Sequence, residues 1–304
     1  MATVGDVDVI EKCPGLYCGR TSSLSDCGAC PRGYRVNESS EISLCVSCDD
    51  SLSNEEWLYL GAMASLSLLA HVFAINFYAS KSERKHFNWL SYVSAGIEFF
   101  VAAIVSLLLF DPVGSLDVKS CGVRRFSDWY TLFFNPKKPD YISTIHCTQE
   151  AVYPLYTIVL TYYFWSLVMF LLLRPIITVK YSSHKSGTLP LFFGLYAIPI
   201  LVVVHTVLGG FLFYSYPYLL LFFTLWATAA VMNYNDIETP RKLIENSDSL
   251  GILIIHCVLY GYSIAAITRG VETELSSLYF LLVPAPVILY MLMAFFTHPR
   301  KFTD

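Results

Sequence analysis

Charge is what this chain has least of. Lys, Arg, Asp and Glu together make up 14% of its 304 residues while 55% are hydrophobic, and the mean hydropathy is +0.52. That much apolar surface cannot be covered by polar groups in a soluble globule, so the composition excludes that class and indicates a polytopic membrane protein. No basic start followed by an apolar core precedes Trp57, so no cleavable secretory signal is expected. Also missing are a phosphate-cradling Gly loop, an HExxH pair, a nucleophile elbow and paired intramembrane aspartates. Neither an enzyme nor a cofactor or metal requirement is therefore expected. No basic patch of nucleic-acid type is present.

What charge there is lies unevenly. The net charge of −4 conceals an acidic start, because Met1 to Glu56 opposes ten acids with only Lys12, Arg20, Arg32 and Arg35. Cysteine is the second uneven feature. Of nine, six (Cys13, Cys18, Cys27, Cys30, Cys45 and Cys48) crowd into the first 50 residues, and Cys121, Cys147 and Cys257 follow. The paired CxxC spacing suits a four-thiolate zinc site, and an even count in a Gly- and Ser-rich stretch equally suits a disulfide-stapled module. The sequon at Asn37-Glu38-Ser39, a candidate N-glycosylation site, leans towards an extracytosolic, disulfide-bonded module. Cys121 and Cys147 share the next polar loop, where one further disulfide would close about 25 residues and contribute about 3 kcal/mol.

The expected architecture is all-α and polytopic, with seven transmembrane helices behind a cysteine-rich lumenal module at 1–56. The spans fall at 57–79, 89–110, 151–173, 189–208, 212–232, 250–268 and 278–296, since a crossing requires about 20 apolar residues. The apolar run Leu189 to Met232 is long enough for two crossings, and Gly209-Gly210 with Tyr214-Ser215-Tyr216-Pro217 supply a hairpin. Pro284 and Pro286 break or kink the seventh span, so neighbouring groups must satisfy the freed carbonyls. Lys81, Arg84 and Lys85 behind the first span put the N-terminus in the lumen, the loop 111–150 also in the lumen and the tail 297–304 in the cytosol. Lys119, Arg124, Arg125, Lys137 and Lys138 in that loop oppose the placement.

Inside the spans, His71, Glu98 and His256 share one depth from the cytosolic side, and His205 lies beyond the midplane. A charge such as Glu98 is costly in hydrocarbon unless protonated, paired or facing a wet interior. Two readings are open: a polar layer that packs and hydrogen-bonds, or a transporter or metal-dependent hydrolase built on those three residues. Arg241-Lys242-Leu243-Ile244 has the form of a basic-plus-hydrophobic kinase docking motif, a pattern that chance produces often. Most of the many Tyr and Phe side chains are expected to be interfacial anchors in contact with membrane lipid.

The longest polar interruption carries a different kind of signal. Asp128, Trp129 and Tyr130, then Asn135-Pro136, Pro139-Asp140-Tyr141, and the run from His146 and Cys147 through Glu150 to Val159 resemble the signature of the Jun N-terminal kinase-associated membrane protein family. Gly15-Leu16-Tyr17-Cys18-Gly19, Cys30-Pro31-Arg32-Gly33, Asp111-Pro112-Val113-Gly114 and Val283-Pro284-Ala285-Pro286 extend the resemblance over almost the whole chain. It implies a non-enzymatic adaptor of the endoplasmic reticulum membrane. Its partners would be a stress-activated kinase, membrane ubiquitin ligases and the proteasome, in the degradation of misfolded proteins. The short tail here departs from a C-terminal kinase contact.

Overall fold

A computed structural model describes residues 11–78, 86–137, 143–181, 188–234, 237, 241, 243, 247–268 and 274–297. Their Cα positions group into two compact units, Met1–Leu212 and Phe213–Asp304. In the first unit, residues 11–53 carry little regular structure, as their Gly, Ser and Cys content favours turns over helix. Two antiparallel ladders lie within it: β1 (Cys18–Gly19) with β2 (Gly28–Ala29), and β3 (Tyr34–Val36) with β4 (Cys45–Ser47). A third ladder joins β5 (Asp50–Ser51) to β6 (Lys119–Ser120) in the register Asp50↔Ser120, Ser51↔Lys119, and so binds the cysteine-rich module to the loop that follows the second helix.

Helix α1 (Asn54–Tyr78) starts on a reciprocal cap. The Glu56 amide donates to Ser53 Oγ at 3.3 Å, and Glu56 Oε2 accepts the Ser53 amide at 2.7 Å, the Ser-x-x-Glu arrangement that satisfies two donors at a helix start. Glu56 Oε1 also accepts from Ser120 Oγ at 2.9 Å, so the start of the helix is tied to the same loop. Helix α2 (His86–Leu108) packs against both α1 and α3 (Leu155–Tyr181). The third helix begins four residues later than expected, because 151–154 form a turn ending at Pro154, and it runs on past Pro175.

Four described helical stretches are long and apolar enough to cross a membrane: Asn54–Ile75, Leu90–Leu108, Leu155–Ile177 and Pro190–Asn233. The last differs from expectation. Helix α4 runs unbroken from Thr188 to Tyr234, with no hairpin at Gly209-Gly210. These glycines serve close approach instead. A Cβ on Gly210 would lie 2.7 Å from the Tyr130 ring and 2.8 Å from Trp129 Cβ, and one on Gly209 would lie 3.2 Å from the Trp129 ring. The small residues let the polar loop seat its aromatic side chains directly on the helix backbone.

The second unit contains α5 (Ser247–Thr268), a 3-10 helix at Glu274–Leu282 and α6 (Ala285–Thr297). The expected single span at 278–296 is broken at Val283-Pro284, as the prolines require. His256 answers the resulting need, since its Nε2 donates to the Val283 carbonyl at 3.1 Å while Nδ1 lies 3.0 Å from Thr228 Oγ1. The tail beyond Thr297 lies outside the described residues.

Candidate functional site

Four disulfides build the cap over the first unit: Cys13–Cys27, Cys30–Cys45, Cys18–Cys147 and Cys48–Cys121. The expected Cys121–Cys147 bridge is corrected by this pairing. Each of these two cysteines instead reaches back across two helices in sequence to the N-terminal module. Any bilayer crossed by α1 and α2 must therefore have both segments on one side. Cys257 is the free cysteine among the described residues. No group of three or more His, Cys, Asp or Glu poised for a metal occurs among them.

At the centre of the cap is the Asp128 carboxylate, which is 2% exposed. It accepts from Tyr17 Oη at 3.0 Å, Arg35 Nη2 at 2.9 Å, the Arg124 amide at 3.0 Å and the Arg125 amide at 3.2 Å. Arg35 is itself buried, and its Nη1 donates to the Gly122 carbonyl at 2.8 Å. Burial, countered in part by the Ser127 hydrogen bond, pushes the Tyr17 hydroxyl up to about 12, so it stays a donor at any physiological pH. The carboxylate thus holds together strands and loop segments that are far apart in sequence.

The rest of the signature loop is structural in the same sense. Asn135 Oδ1 accepts the Cys147 amide at 2.8 Å and Nδ2 donates to Thr148 Oγ1 at 3.1 Å, while Pro136 fills the space a Cβ on Gly15 would require. Glu150 accepts the Thr157 amide at 2.8 Å and the Thr157 hydroxyl, capping the first turn of α3. Its carboxyl is raised by burial, against the pull of the Thr157 bonds. Trp129 meets Tyr59 of α1 edge-on at 5.6 Å between centroids. His146 is exposed, and so is Asn37, whose Oδ1 accepts the Ser39 amide at 3.1 Å in the turn between β3 and β4.

The basic residues that opposed an extracytosolic loop are largely matched by acids of the module. Lys119 Nζ lies 2.9 Å from Asp49 Oδ1, Arg125 Nη2 lies 2.6 Å from Glu38 Oε1, and Arg124 lies 3.9 Å from the same oxygen. Lys138 falls outside the described residues.

Within the helices, Glu98 is paired. Its Oε1 accepts from Arg174 Nε at 2.8 Å and from Ser94 Oγ at 2.5 Å, with both partners of the ion pair buried. The Arg174 guanidinium lies 5.7 Å from the Phe170 ring centroid, and the His71 ring stacks on Phe170 at 5.1 Å.

Comparison with known proteins places this architecture. Residues 13–299 match the family model described as JNK1/MAPK8-associated membrane protein. The chain belongs to that family. The JNK1/MAPK8-associated membrane proteins of Mus musculus and Homo sapiens are each 40% identical to it over 306 aligned residues, covering 97% of this chain and 96% of theirs. The JNK1/MAPK8-associated membrane protein homolog of Caenorhabditis elegans is 28% identical over 285 residues, covering 92% of this chain and 86% of its own. No solved structure matches.

In this member of the JNK1/MAPK8-associated membrane protein family, each residue of the expected layer of His71, Glu98 and His256 has partners within its own unit. Glu98 is committed to Arg174, His71 to Phe170, and His256, in the second unit, to Thr228, Val283 and a stacked Tyr260 at 5.1 Å. Arg174, one residue past the expected third span at 151–173, was the missed partner; the signal was the need of Glu98 for a cation. The docking pattern at 241–244 is also altered, since Leu243 is buried with Met232, Ile237 and Val287. A docking motif presents its hydrophobic residue outward, whereas here Arg241 is exposed and Leu243 is not. Lys242 and Ile244 lie outside the described residues.

Proposed function

We propose that the chain is a non-enzymatic adaptor of the endoplasmic reticulum membrane that associates with a stress-activated kinase of the JNK type. In this reading it links membrane ubiquitin ligases to the proteasome in the degradation of misfolded proteins. The observation that carries the proposal is the match to the JNK1/MAPK8-associated membrane protein family from residue 13 to residue 299. The cap is consistent with it, because a covalent module of four disulfides persists in an oxidising compartment such as the lumen. The partners then meet the opposite face, at the connectors 79–85, 182–187 and 235–246.

In the proposed topology, residues 188–234 cross twice, which requires α4, continuous in the structure, to fold back in a bilayer. Their apolar stretch of 44 residues is about double the length one crossing requires, and two crossings leave Arg300 and Lys301 in the cytosol. A C-terminal glycosylation reporter tests this. It stays unmodified for seven crossings, and efficient modification rejects them.

The adaptor role is tested by isolating the tagged chain from mildly solubilised microsomes and following a misfolded membrane substrate by pulse-chase. Scrambling 235–246 is expected to remove proteasome, ligase or kinase recovery and lengthen substrate half-life. Replacing Glu98 and Arg174 together by Met is expected to leave both intact, because a paired swap strands no charge. Loss of function only in the paired replacement would overturn the adaptor reading in favour of intramembrane chemistry.

A further inference from the structure

Asn37-Glu38-Ser39 is the one Asn-x-Ser/Thr triplet in the chain, and its central residue is not Pro. It opens the turn between β3 and β4. Val36 pairs with Cys45 in that ladder, the Asn37 amide donates to the Leu44 carbonyl at 2.9 Å, and the Cys30–Cys45 bridge closes over the same hairpin. The backbone is therefore anchored at the start of the triplet, while Asn37, Glu38 and Ser39 are all exposed.

The Asn37 side chain serves only its own turn. Its Oδ1 accepts the Ser39 amide at 3.1 Å, and nothing among the described residues accepts from its Nδ2. Asn135 is the contrast. Its Oδ1 holds the Cys147 amide at 2.8 Å and its Nδ2 holds Thr148 Oγ1 at 3.1 Å, so a group added there would break contacts of the cap. A group added to Asn37 Nδ2 displaces none. Glu38 fixes where such a group stands, since both its carboxylate oxygens accept from Arg125 Nη2, at 2.6 and 2.7 Å, and so hold the turn against the polar loop at an exposed edge.

We infer that Asn37 is an N-glycosylation site whose oligosaccharide stands at the edge where the cysteine-rich module meets the polar loop. The assignment rests on the lumenal placement proposed above, which the four disulfides support because such bridges persist in an oxidising compartment. The donor is an oligosaccharide carried on a membrane polyprenyl diphosphate, and the transferase is a separate enzyme. Asn37 Nδ2 forms a bond to the anomeric carbon while the bond from that carbon to the diphosphate oxygen breaks. The polyprenyl diphosphate leaves with the electron pair, Nδ2 gives up one proton to a base of the transferase, and nothing is oxidised or reduced.

The test expresses the full chain in cells that perform N-glycosylation, alongside a second version carrying an Asn-x-Thr triplet in an N-terminal tag. The untagged chain is expected to migrate as a slower band that peptide N-glycosidase collapses, and deglycosylation in heavy-oxygen water is expected to label position 37. Asn37→Gln and Ser39→Ala are expected to abolish the slower band, and Ser39→Thr to keep it. Ser39→Ala retains the Asn37 Oδ1 and the amide it accepts, so loss of the band there is not loss of the turn. Retention of the four disulfides on non-reducing peptide maps checks the fold of each variant. A modified tag beside an unmodified Asn37, or a slower band that survives Asn37→Gln in the untagged chain, would overturn the site and leave the lumenal placement standing. An unmodified tag together with an unmodified Asn37 would overturn the placement and the site with it.

Discussion

Replacing Asp128 by Asn keeps the side chain's size and removes the charge that answers a buried Arg35 at 2.9 Å. Breaking a buried pair from one side leaves an uncompensated ion, so Asp128→Asn is expected to destabilise the cap by about 3–5 kcal/mol. Limited proteolysis of the purified protein reads this as rapid cleavage in 111–150 without loss of the helical signal. Glu150 tests a different aspect. Its carboxyl is raised by burial from 4.5, so the folded cap holds the proton more tightly than the unfolded chain. Stability from this group is full below pH 4.5 and is lost as pH rises through the folded value. Glu150→Gln, which can still accept from the Thr157 amide, is expected to flatten that part of the pH profile of thermal unfolding. At this scale the sequence was half legible. Glu98 announced that it required a partner, because a lone carboxylate in hydrocarbon is costly. Arg174 did not announce that it supplied one, because a cation near the end of an apolar run reads as a flank until the helix is seen to continue to Tyr181.

Helices were more legible than the joints between them. The first three helices follow from apolar length alone, and the break at Val283-Pro284 from proline's missing donor. The continuous α4 did not, since a Gly-Gly pair and a nearby Pro carry the same local signal whether they turn a chain or admit a neighbour. What decides is the loop that packs there, a contact between residues about 80 apart in sequence that no local pattern encodes. Two glycines separate these roles. Gly210→Ala places a methyl 2.7 Å from the Tyr130 ring and is expected to cost about 1–3 kcal/mol, loosening the loop. Gly96→Ala in α2, where a Cβ meets nothing within 4 Å, is expected to be neutral or to stabilise by up to about 1 kcal/mol. Thermal unfolding in one detergent, followed by tryptophan fluorescence, compares the two. Equal effects would mean that Gly210 is not a contact residue.

For the molecule as a whole, the cysteine-rich start and the polar loop are a single cap, although the sequence presents them as two segments separated by two helices. The number and spacing of the cysteines suited disulfides and a zinc site alike; the pairing was hidden because connectivity depends on which segments the fold brings together. The expected outcome is direct. With a protease site inserted in the 79–85 connector, the cut chain should migrate as one band without reductant and as two with it, because Cys18–Cys147 and Cys48–Cys121 still join the halves. Two bands without reductant would reject the pairing. The same pairing constrains how the protein is made. Cys13–Cys27 and Cys30–Cys45 can close as soon as the first 45 residues are delivered, but Cys48 waits for a partner 73 residues later and Cys18 for one 129 residues later. At about 5–20 residues per second of synthesis, each waits on the order of ten seconds as an open thiol beside two finished bridges. During that interval, fidelity rests on oxidoreductases and not on the fold, which does not yet exist to exclude the wrong partner.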